Sequence, residues 1–195
     1  MRVIGGTFRG RRLRAPKDRV TRPTSDRVRE AVFDMLDTAP GFDIDGADVL
    51  DLFAGSGALG IEALSRGARS AVFVDRAPAS VKAISANLEA LGMTEDRRGV
   101  AAAAAHQVSV VRAEALGWLV TPRRFDLALV DPPYAFDDWA TLLDRLDATL
   151  AVLESDRALL VPESWEILKH KRYGDTLVTM VRHATRARPG QKGSP

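Results

Sequence analysis

The segment DLFAGSGALGIE (residues 51–62) carries the clearest structural signal in this 195-residue chain. It begins in an apolar run of strand length and ends in a run with helical spacing. Between them, Gly55, Gly57 and Gly60 follow the G-x-G-x-x-G pattern, in which glycines let the backbone turn tightly and approach a ligand closely. Asp75 comes twenty residues after Gly55, at the end of the next apolar run, where a carboxylate can bind both hydroxyls of a ribose. The pattern predicts a nucleotide-cofactor site; the alternative is a strand-to-helix turn packed for its own sake.

Apolar runs and helical stretches alternate on both sides of this turn. Repeated β-α units predict a parallel sheet with helices on both faces, and two final extended stretches predict an antiparallel hairpin at one edge. The expected fold is therefore α/β and Rossmann-like. The predicted strands are 48–53, 70–75, 108–112, 125–130, 158–162, 167–173 and 177–183, and the predicted helices are 24–37, 57–65, 77–91, 114–120 and 138–153.

Composition limits the possible functions. The chain has 46% hydrophobic and 28% charged residues, which is typical of one ordinary globular domain. It has no cysteine, which excludes disulfides, thiolate metal sites and a cysteine nucleophile. Its three histidines are scattered without metal-ligand spacing, so we expect no metal. No apolar run has the length of a membrane span and the N-terminus lacks a signal-peptide core, so we expect a cytoplasmic protein.

The net charge of +2 conceals two basic ends. Residues 1–30 carry ten Arg and Lys against three acidic residues, residues 169–195 carry seven against one, and the middle is acidic. Because like charges repel unless a polyanion neutralises them, we predict that residues 1–23 form a basic hairpin or arm that contacts nucleic acid. The alternative is a hairpin packed on the domain, although the arm shows no periodic core face. The predicted contacts are Arg9, Arg11, Arg12, Arg14, Arg22, Arg27 and Arg29, the last two placed mostly off the buried stripe of helix 24–37.

Asp51 indicates which cofactor the site would bind. It stands four residues before Gly55, where its charge would repel a pyrophosphate but attract the ammonium and sulfonium groups of S-adenosylmethionine. We therefore predict S-adenosylmethionine; the alternative is that Asp51 caps backbone amides of the glycine loop. Glu114, after the third predicted strand, is a candidate for the adenine amino group, or alternatively a helix-start acid that interacts with the dipole.

The fourth predicted strand ends in Asp131-Pro132-Pro133-Tyr134. The Asp131 carboxylate and the Pro132 carbonyl can each accept one N–H of an exocyclic amine, which localises the nitrogen lone pair toward a methyl donor. The prolines fix these groups, so the predicted catalysis is proximity and preorganised electrostatics. Tyr134 offers a ring on which a flipped base can stack. The alternative is a turn that ends a strand.

Taken together, these motifs resemble the RsmD-type 16S ribosomal RNA guanine-N2 methyltransferases, a class I family that depends on S-adenosylmethionine. The resemblance spans roughly residues 1–185, and the segment RPTSDRVRE (22–30) is its most specific part. The other matching segments are VIGG (3–6), RGR (9–11), the rest of 22–36, 51–68, VFVD (72–75) and DPPY (131–134).

The resemblance implies a seven-stranded sheet with one antiparallel strand, and a guanine substrate in 16S ribosomal RNA of an assembling small subunit. It implies that Asp51, Phe53, Gly55, Gly57 and Asp75 bind the cofactor, a set to which we add Arg76, Glu114 and Ala115. It further implies that Asp131, Pro132, Pro133 and Tyr134 form the catalytic loop. We predict an RNA-binding arm at 1–23, a methyltransferase domain at 24–185, a disordered tail at 186–195, and a monomer.

Two departures and two rival functions remain. The stretch 94–107 is longer than the usual link in this family and is predicted to be a surface loop, and Glu114 stands where Asp or Asn is more usual.

A DNA adenine-N6 or cytosine-N4 methyltransferase would share the glycine loop and the DPPY chemistry, but would usually need a separate target-recognition region. A non-catalytic nucleic-acid-binding protein on a relic nucleotide fold would have no reason to keep the DPPY segment.

Overall fold

A computed structural model describes residues 1–16, 26–93 and 107–185. Arg22, the tail 186–195 and all but the last residue of the 94–107 insertion lie outside these ranges. The helices are α1 (Asp26–Asp37), α2 (Ala58–Ser65), α3 (Pro78–Ala90), α4 (Ala115–Trp118) and α5 (Trp139–Arg145). The strands are β1 (Asp48–Leu52), β2 (Ser70–Asp75), β3 (Gln107–Arg112), β4 (Phe125–Val130), β5 (Ala148–Ser155), β6 (Trp165–Tyr173) and β7 (Thr176–His183). None of the helices in the described ranges has the length and apolarity needed to span a membrane.

The strands form one sheet in the order β3-β2-β1-β4-β5-β7-β6. The first five are parallel, β7 runs antiparallel to β5, and β6 runs antiparallel to β7. Strand order reverses beside β1, so β1 and β4 leave a crevice at their carboxyl ends, where ligands bind in open α/β sheets. The predicted Rossmann-like sheet with one antiparallel strand is confirmed.

Both faces of the central strands are buried, which explains their nearly continuous apolar sequences. One face packs against α1, α2 and α3, with core residues such as Val49 and Leu127. The other packs against α4 and α5, with core residues such as Leu50 and Ala128. The predicted stripe of α1 is buried as expected. Helices on both sides thus fix the strand ends that carry the candidate site.

The prediction for residues 138–162 is wrong. A helix was expected over 138–153 and a strand over 158–162, whereas α5 ends at Arg145, β5 occupies Ala148–Ser155, and residues 158–162 form no strand. The segment ATLAVLES is buried along nearly its whole length between β4 and β7. A short apolar run buried on both faces has no periodicity that separates a strand from a helix. Its position in the sheet determines its structure.

The N-terminal arm is a small hairpin that belongs to the core. An antiparallel bridge pairs Arg2 with Arg12. Val3 and Leu13 are only 1% and 6% exposed and join the cluster that contains α1 and α2. The arm thus contributes two side chains to the core, although it has no periodic core face. Two isolated apolar residues in a basic segment are too few to form a periodic pattern in the sequence.

Polar contacts fix the same arm to the domain. Glu62 of α2 is fully buried and accepts the backbone N–H groups of Ile4 and Gly5, each at 2.7 Å. Asn87 of α3 accepts the N–H of Arg14 at 2.8 Å and donates to its carbonyl at 3.0 Å. These bonds satisfy arm backbone groups that would otherwise need water. The alternative of a hairpin packed on the domain is the one that the structure contains.

Candidate active site

Four carboxylates lie on one face of the sheet at the carboxyl ends of adjacent strands. In the strand register, Asp51 is paired with Phe73 on one side and Leu129 on the other, and Leu129 is paired with Val152. Residues two positions apart in a strand point to the same face. The carboxylates therefore share one face of four adjacent strands, in the order Asp75 (β2), Asp51 (β1), Asp131 (after β4) and Glu154 (β5), with Asp51 two residues farther from the carboxyl edge than the other three.

The segment 53–60, which we call the glycine loop, connects β1 to α2 by a tight turn. Phe53, Gly55 and Gly57 have positive φ angles of 63°, 59° and 75°, a region that favours glycine. At Gly60 the limit is space, because a Cβ would lie 2.4 Å from the Phe73 ring. The turn brings backbone N–H groups and the start of α2 to the carboxyl edge of the sheet. This geometry suits a cofactor, although whether these residues bind one stays a prediction.

Asp51 is 1% exposed and accepts the N–H of Gly60 at 2.9 Å. This bond is the capping role that was the alternative for Asp51. Burial raises the pKa of Asp51 well above its usual value of 3.8, the bond from Gly60 opposes the shift, and the charges of Asp131 and Asp75 add to it. The carboxyl is therefore in an environment that disfavours its own negative charge, so a cation nearby would stabilise it.

Asp75 holds the glycine loop against the end of β2. Its Oδ2 accepts the N–H of Gly55 and its Oδ1 accepts that of Ala77, both at 2.8 Å. The first bond joins the two positions that the sequence pattern associates with a nucleotide. Arg76, the next residue, is exposed at the same edge. Ribose binding by Asp75 and a cofactor contact by Arg76 stay predictions.

Glu114 acts as the N-cap of α4. Its carboxylate accepts the N–H groups of Leu116 at 3.1 Å and Gly117 at 2.7 Å. This is the helix-start role, which was the alternative to an adenine contact. Ala115 is buried behind it. Both residues follow β3 at the same edge of the sheet as Asp75, and their contact with an adenine stays a prediction.

The segment 131–134, which we call the DPPY loop, leaves the sheet at the end of β4. Pro132 is buried and Pro133 is half-buried, and the Pro133 carbonyl accepts the N–H of Phe136 at 2.8 Å. Tyr134 is 51% exposed, with its hydroxyl 3.3 Å from that of Thr176. The structure thus brings together an acid, a rigid double proline and an accessible ring next to the glycine loop. Their catalytic role is not tested by this geometry.

Sequence reasoning missed Arg157, which anchors the chain after the DPPY loop. Its guanidinium donates to the carbonyls of Phe136 at 3.2 Å and Tyr134 at 3.5 Å, and it forms ion pairs with Asp137 and Asp156. The sequence offered little signal for this role, because Arg157 stands in a segment predicted to lead into a strand. The contact depends on the true position of β5.

The basic residues predicted to contact nucleic acid separate into two groups. Arg9, Arg11, Arg12 and Arg14 of the arm are exposed, and so is Arg27 at the start of α1. Arg11 also donates to the carbonyl of residue 90 at 3.1 Å. These five side chains are available to a polyanion, whereas Arg29 is not.

Arg29 is a correction to the predicted surface. Its side chain is fully buried, and it donates to the carbonyl of Arg2 at 2.5 Å and to Asp26 at 2.9 Å. Helical spacing places Arg29 beside the apolar stripe of α1, and the arm then covers it. A buried guanidinium that is bonded to the arm cannot reach a phosphate, so Arg29 connects the arm to α1.

A cationic ligand fits this edge of the sheet. Asp51 is buried and its carboxyl faces the charges of Asp131 and Asp75, so a cation among them would reduce their repulsion. S-adenosylmethionine carries an ammonium group and a sulfonium, and the residues present fit it. A sheet of this order, with a glycine loop after β1, an acid at the end of β2 and a DPPY loop after β4, defines a class I methyltransferase.

The chain belongs to the family described as Conserved hypothetical protein 95, whose model matches residues 1–182. It is 35% identical over 187 residues to Ribosomal RNA small subunit methyltransferase D of Escherichia coli K12, covering 89% of this chain and 85% of that protein. The protein of the same name from Haemophilus influenzae is 32% identical over 186 residues, covering 89% of each chain. The solved structure of yhhF from Escherichia coli has a TM-score of 0.77 and 32% identity, covering 94% of this chain and 97% of that one. The predicted family, fold and S-adenosylmethionine cofactor are confirmed.

Proposed function

We propose that this protein transfers a methyl group from S-adenosylmethionine to the exocyclic N2 amine of a guanine in 16S ribosomal RNA. The observation that carries the proposal is the position of the DPPY loop directly beside the glycine loop, at the carboxyl edge of the sheet. Relatives named for methylation of the small-subunit ribosomal RNA support this substrate. The proposal includes that the guanine belongs to an assembling small subunit and that the enzyme acts as a monomer.

The proposed chemistry depends on orienting a weak nucleophile. S-adenosylmethionine supplies an electrophilic methyl group on a positively charged sulfur. The lone pair of the guanine N2 amine is delocalised into the ring, so the amine reacts poorly unless it is held. The Asp131 carboxylate and the Pro132 carbonyl each accept one N–H, which directs the lone pair at the methyl carbon. As the N–C bond forms the S–C bond breaks, and the nitrogen then loses one proton, which Asp131 is placed to accept.

Tyr134 supplies the surface on which the base is held. Its ring is half exposed beside the two prolines, and stacking on an aromatic ring is how proteins hold a base that has left its own stack. Outside this cleft, the exposed arginines of the arm supply positive charge for the RNA backbone. The two functions are separate, because the arm binds phosphates and the cleft binds one base.

Mass spectrometric mapping of methylated guanines in 16S ribosomal RNA tests the proposal. A deletion strain should lack one N2-methylguanine, and the wild-type gene should restore it. Asp131→Ala should not restore it, because losing one preorganised acceptor lowers turnover by about two to three orders of magnitude. Asp144→Asn, an exposed acid of α5, is the matched control and should restore it fully. An unchanged guanine pattern in the deletion strain, or a lost methylated base in DNA instead, would refute the proposal.

A further inference from the structure

Glu154, near the end of β5, has no part in the chemistry described above. It nevertheless lines a cleft together with Pro132, Pro133 and Tyr134. This is the cleft in which the proposed function places the target base. Any base that stacks on Tyr134 and meets the Pro132 carbonyl therefore also comes close to Glu154.

The sheet register places Glu154 next to Asp131. Leu153 of β5 is paired with Val130 of β4 in parallel register, so Glu154 and Asp131 are the next residues of two neighbouring strands. Neighbouring strands are about 4.8 Å apart, and paired residues point to the same face. The two side chains thus lie on the same face of two neighbouring strands, so one flat ring held at this edge of the sheet can contact both.

The surroundings of Glu154 are unfavourable for a carboxyl that has only a structural role. Glu154 is 5% exposed, and no donor among the described residues reaches its Oε1. The charged groups that face it are Asp131, Asp51 and Arg29. Burial, and then the two acids, raise the pKa of Glu154 well above its usual 4.5, while Arg29 acts in the opposite direction. A buried acceptor without a donor lowers stability, so a ligand is the expected source of that donor.

A structural ion pair with Arg29 does not explain why the carboxyl of Glu154 is buried. Arg29 bonds to Asp26 and to the carbonyl of Arg2. Its Nε, like the Oε1 of Glu154, has no hydrogen-bond partner in the described part of the chain. The two orphaned atoms do not bond to each other, so the attraction between Glu154 and Arg29 is not a hydrogen-bonded ion pair through these atoms.

We infer that Glu154 is a specificity-determining residue that accepts the N1–H of the target guanine while Asp131 and Pro132 hold its N2 amine. The inference rests on the proposed function. In guanine one of the two ring nitrogens that flank the exocyclic amine, N1, carries a hydrogen, whereas the ring nitrogens next to the amines of adenine and cytosine are acceptors. A carboxyl oxygen at this position therefore favours guanine, because the other two bases would face it with a lone pair. This discrimination belongs to the ionised carboxyl, which has only acceptor oxygens, because a protonated carboxyl could donate to the ring nitrogen of the other two bases.

The test uses the full-length protein with Glu154→Gln, which keeps the shape of the side chain but introduces an amide N–H. Small subunits from a deletion strain are compared with subunits reconstituted to carry 2,6-diaminopurine at the mapped guanine. This analogue keeps the N2 amine but has an acceptor at N1. The wild type should strongly prefer guanine, and Glu154→Gln should reduce that preference about tenfold or more, since a site built to hydrogen-bond one edge rejects its analogue. Its kcat/KM on guanine should also fall about tenfold, with S-adenosylmethionine affinity preserved and Tm not lowered.

The matched control is Glu166→Gln, an exposed glutamate on β6, which should behave as the wild type in every assay. An unchanged preference in Glu154→Gln would overturn the inference. A loss of activity accompanied by lower Tm and weaker cofactor binding would also overturn it, in favour of a structural role. Failure of the proposed function is distinguishable, because the wild type itself would then form no N2-methylguanine in these subunits.

Discussion

The ring of Phe53, in the glycine loop, meets the ring of Phe136, just after the DPPY loop, with centroids 5.2 Å apart and planes at 64°. Phe136 in turn packs edge-to-face on Trp139 at 5.3 Å. Phe53 has a φ angle of 63°, which is uncommon for a residue other than glycine. The aromatic contact thus connects the loop predicted to bind the cofactor with the loop predicted to bind the base.

Replacing Phe136 should therefore affect both loops. An edge-to-face pair contributes about 0.5–1.5 kcal/mol beyond the area that it buries, so we expect Phe136→Leu to weaken binding of S-adenosylhomocysteine several-fold and to lower kcat. Calorimetry and turnover on small subunits measure the two effects. Phe42→Leu, a half-buried ring between α1 and β1, should change neither. A variant that loses turnover with unaltered ligand affinity would show that the rings do not couple the loops.

The two roles of Asp51 can be separated by Asp51→Asn. The amide keeps an acceptor for the Gly60 N–H but removes the charge proposed to attract the cofactor. We expect affinity for S-adenosylmethionine to fall about tenfold or more, without a decrease in the Tm of the apo protein. Calorimetry and thermal melts test this, with NAD as a ligand that should not bind. If affinity is retained, Asp51 serves only to cap the glycine loop.

The pH dependence of stability should reveal the buried carboxyl of Glu154. Burial raises its folded-state pKa above the usual 4.5, so the folded protein holds this proton more tightly than the unfolded chain does. The resulting stabilisation is complete below the unfolded-state pKa and is lost as the pH rises through the folded-state value. Glu154→Gln is neutral at every pH, so its Tm relative to the wild type should increase between pH 5 and pH 8. A constant difference between the two melting curves would contradict this expectation.

Arg157 should act through the loop that it anchors. Arg157→Ala removes the donors to the carbonyls of Phe136 and Tyr134 and leaves Asp137 without its ion pair. Because preorganisation is lost rather than a reacting group, we expect kcat on small subunits to fall and cofactor affinity to change little. Arg157→Lys should recover only part of the activity, since lysine lacks the planar fork. Wild-type kcat in Arg157→Ala would show that the loop holds its conformation without this anchor.

Local signals in the sequence predicted the first half of the fold well. The glycine pattern, the strand ends at Asp75 and Val130, and the stripe of α1 each depend on residues close together in the chain. The sequence-based prediction is wrong where contacts between residues far apart in the chain determine the structure. β5 is a strand because β4 and β7 flank it, and Arg29 is buried because the arm covers it. The roles of Glu154 and Arg157 were missed for the same reason, because the positions of both residues depend on β5.

Deletion of the arm does not test RNA binding cleanly. Truncation would remove the buried side chains of Val3 and Leu13 and leave the buried carboxylate of Glu62 without its two N–H donors. Glu62 would keep its ion pair with Arg66 at 3.0 Å, but a buried carboxylate that loses hydrogen bonds lowers the stability of the fold. We therefore expect a truncated protein to have a much lower Tm and weaker cofactor binding, whatever the arm does with RNA. A truncated protein that melts like the wild type would show that these contacts contribute little.

Substitution of the exposed arginines tests the same surface without unfolding it. Arg9, Arg11, Arg12 and Arg14 are exposed, and each phosphate contact adds a slope of about −0.7 to −0.9 in log affinity against log salt. Replacing all four by Gln should flatten the salt dependence of small-subunit binding by up to about three units, while cofactor affinity and Tm stay near wild-type values. The matched control replaces Arg123 and Arg124 by Gln. Both are exposed just before β4 and lie outside the arm, so this variant should keep the full slope. If the quadruple variant also keeps the full slope, the arm is a structural hairpin and the RNA binds elsewhere.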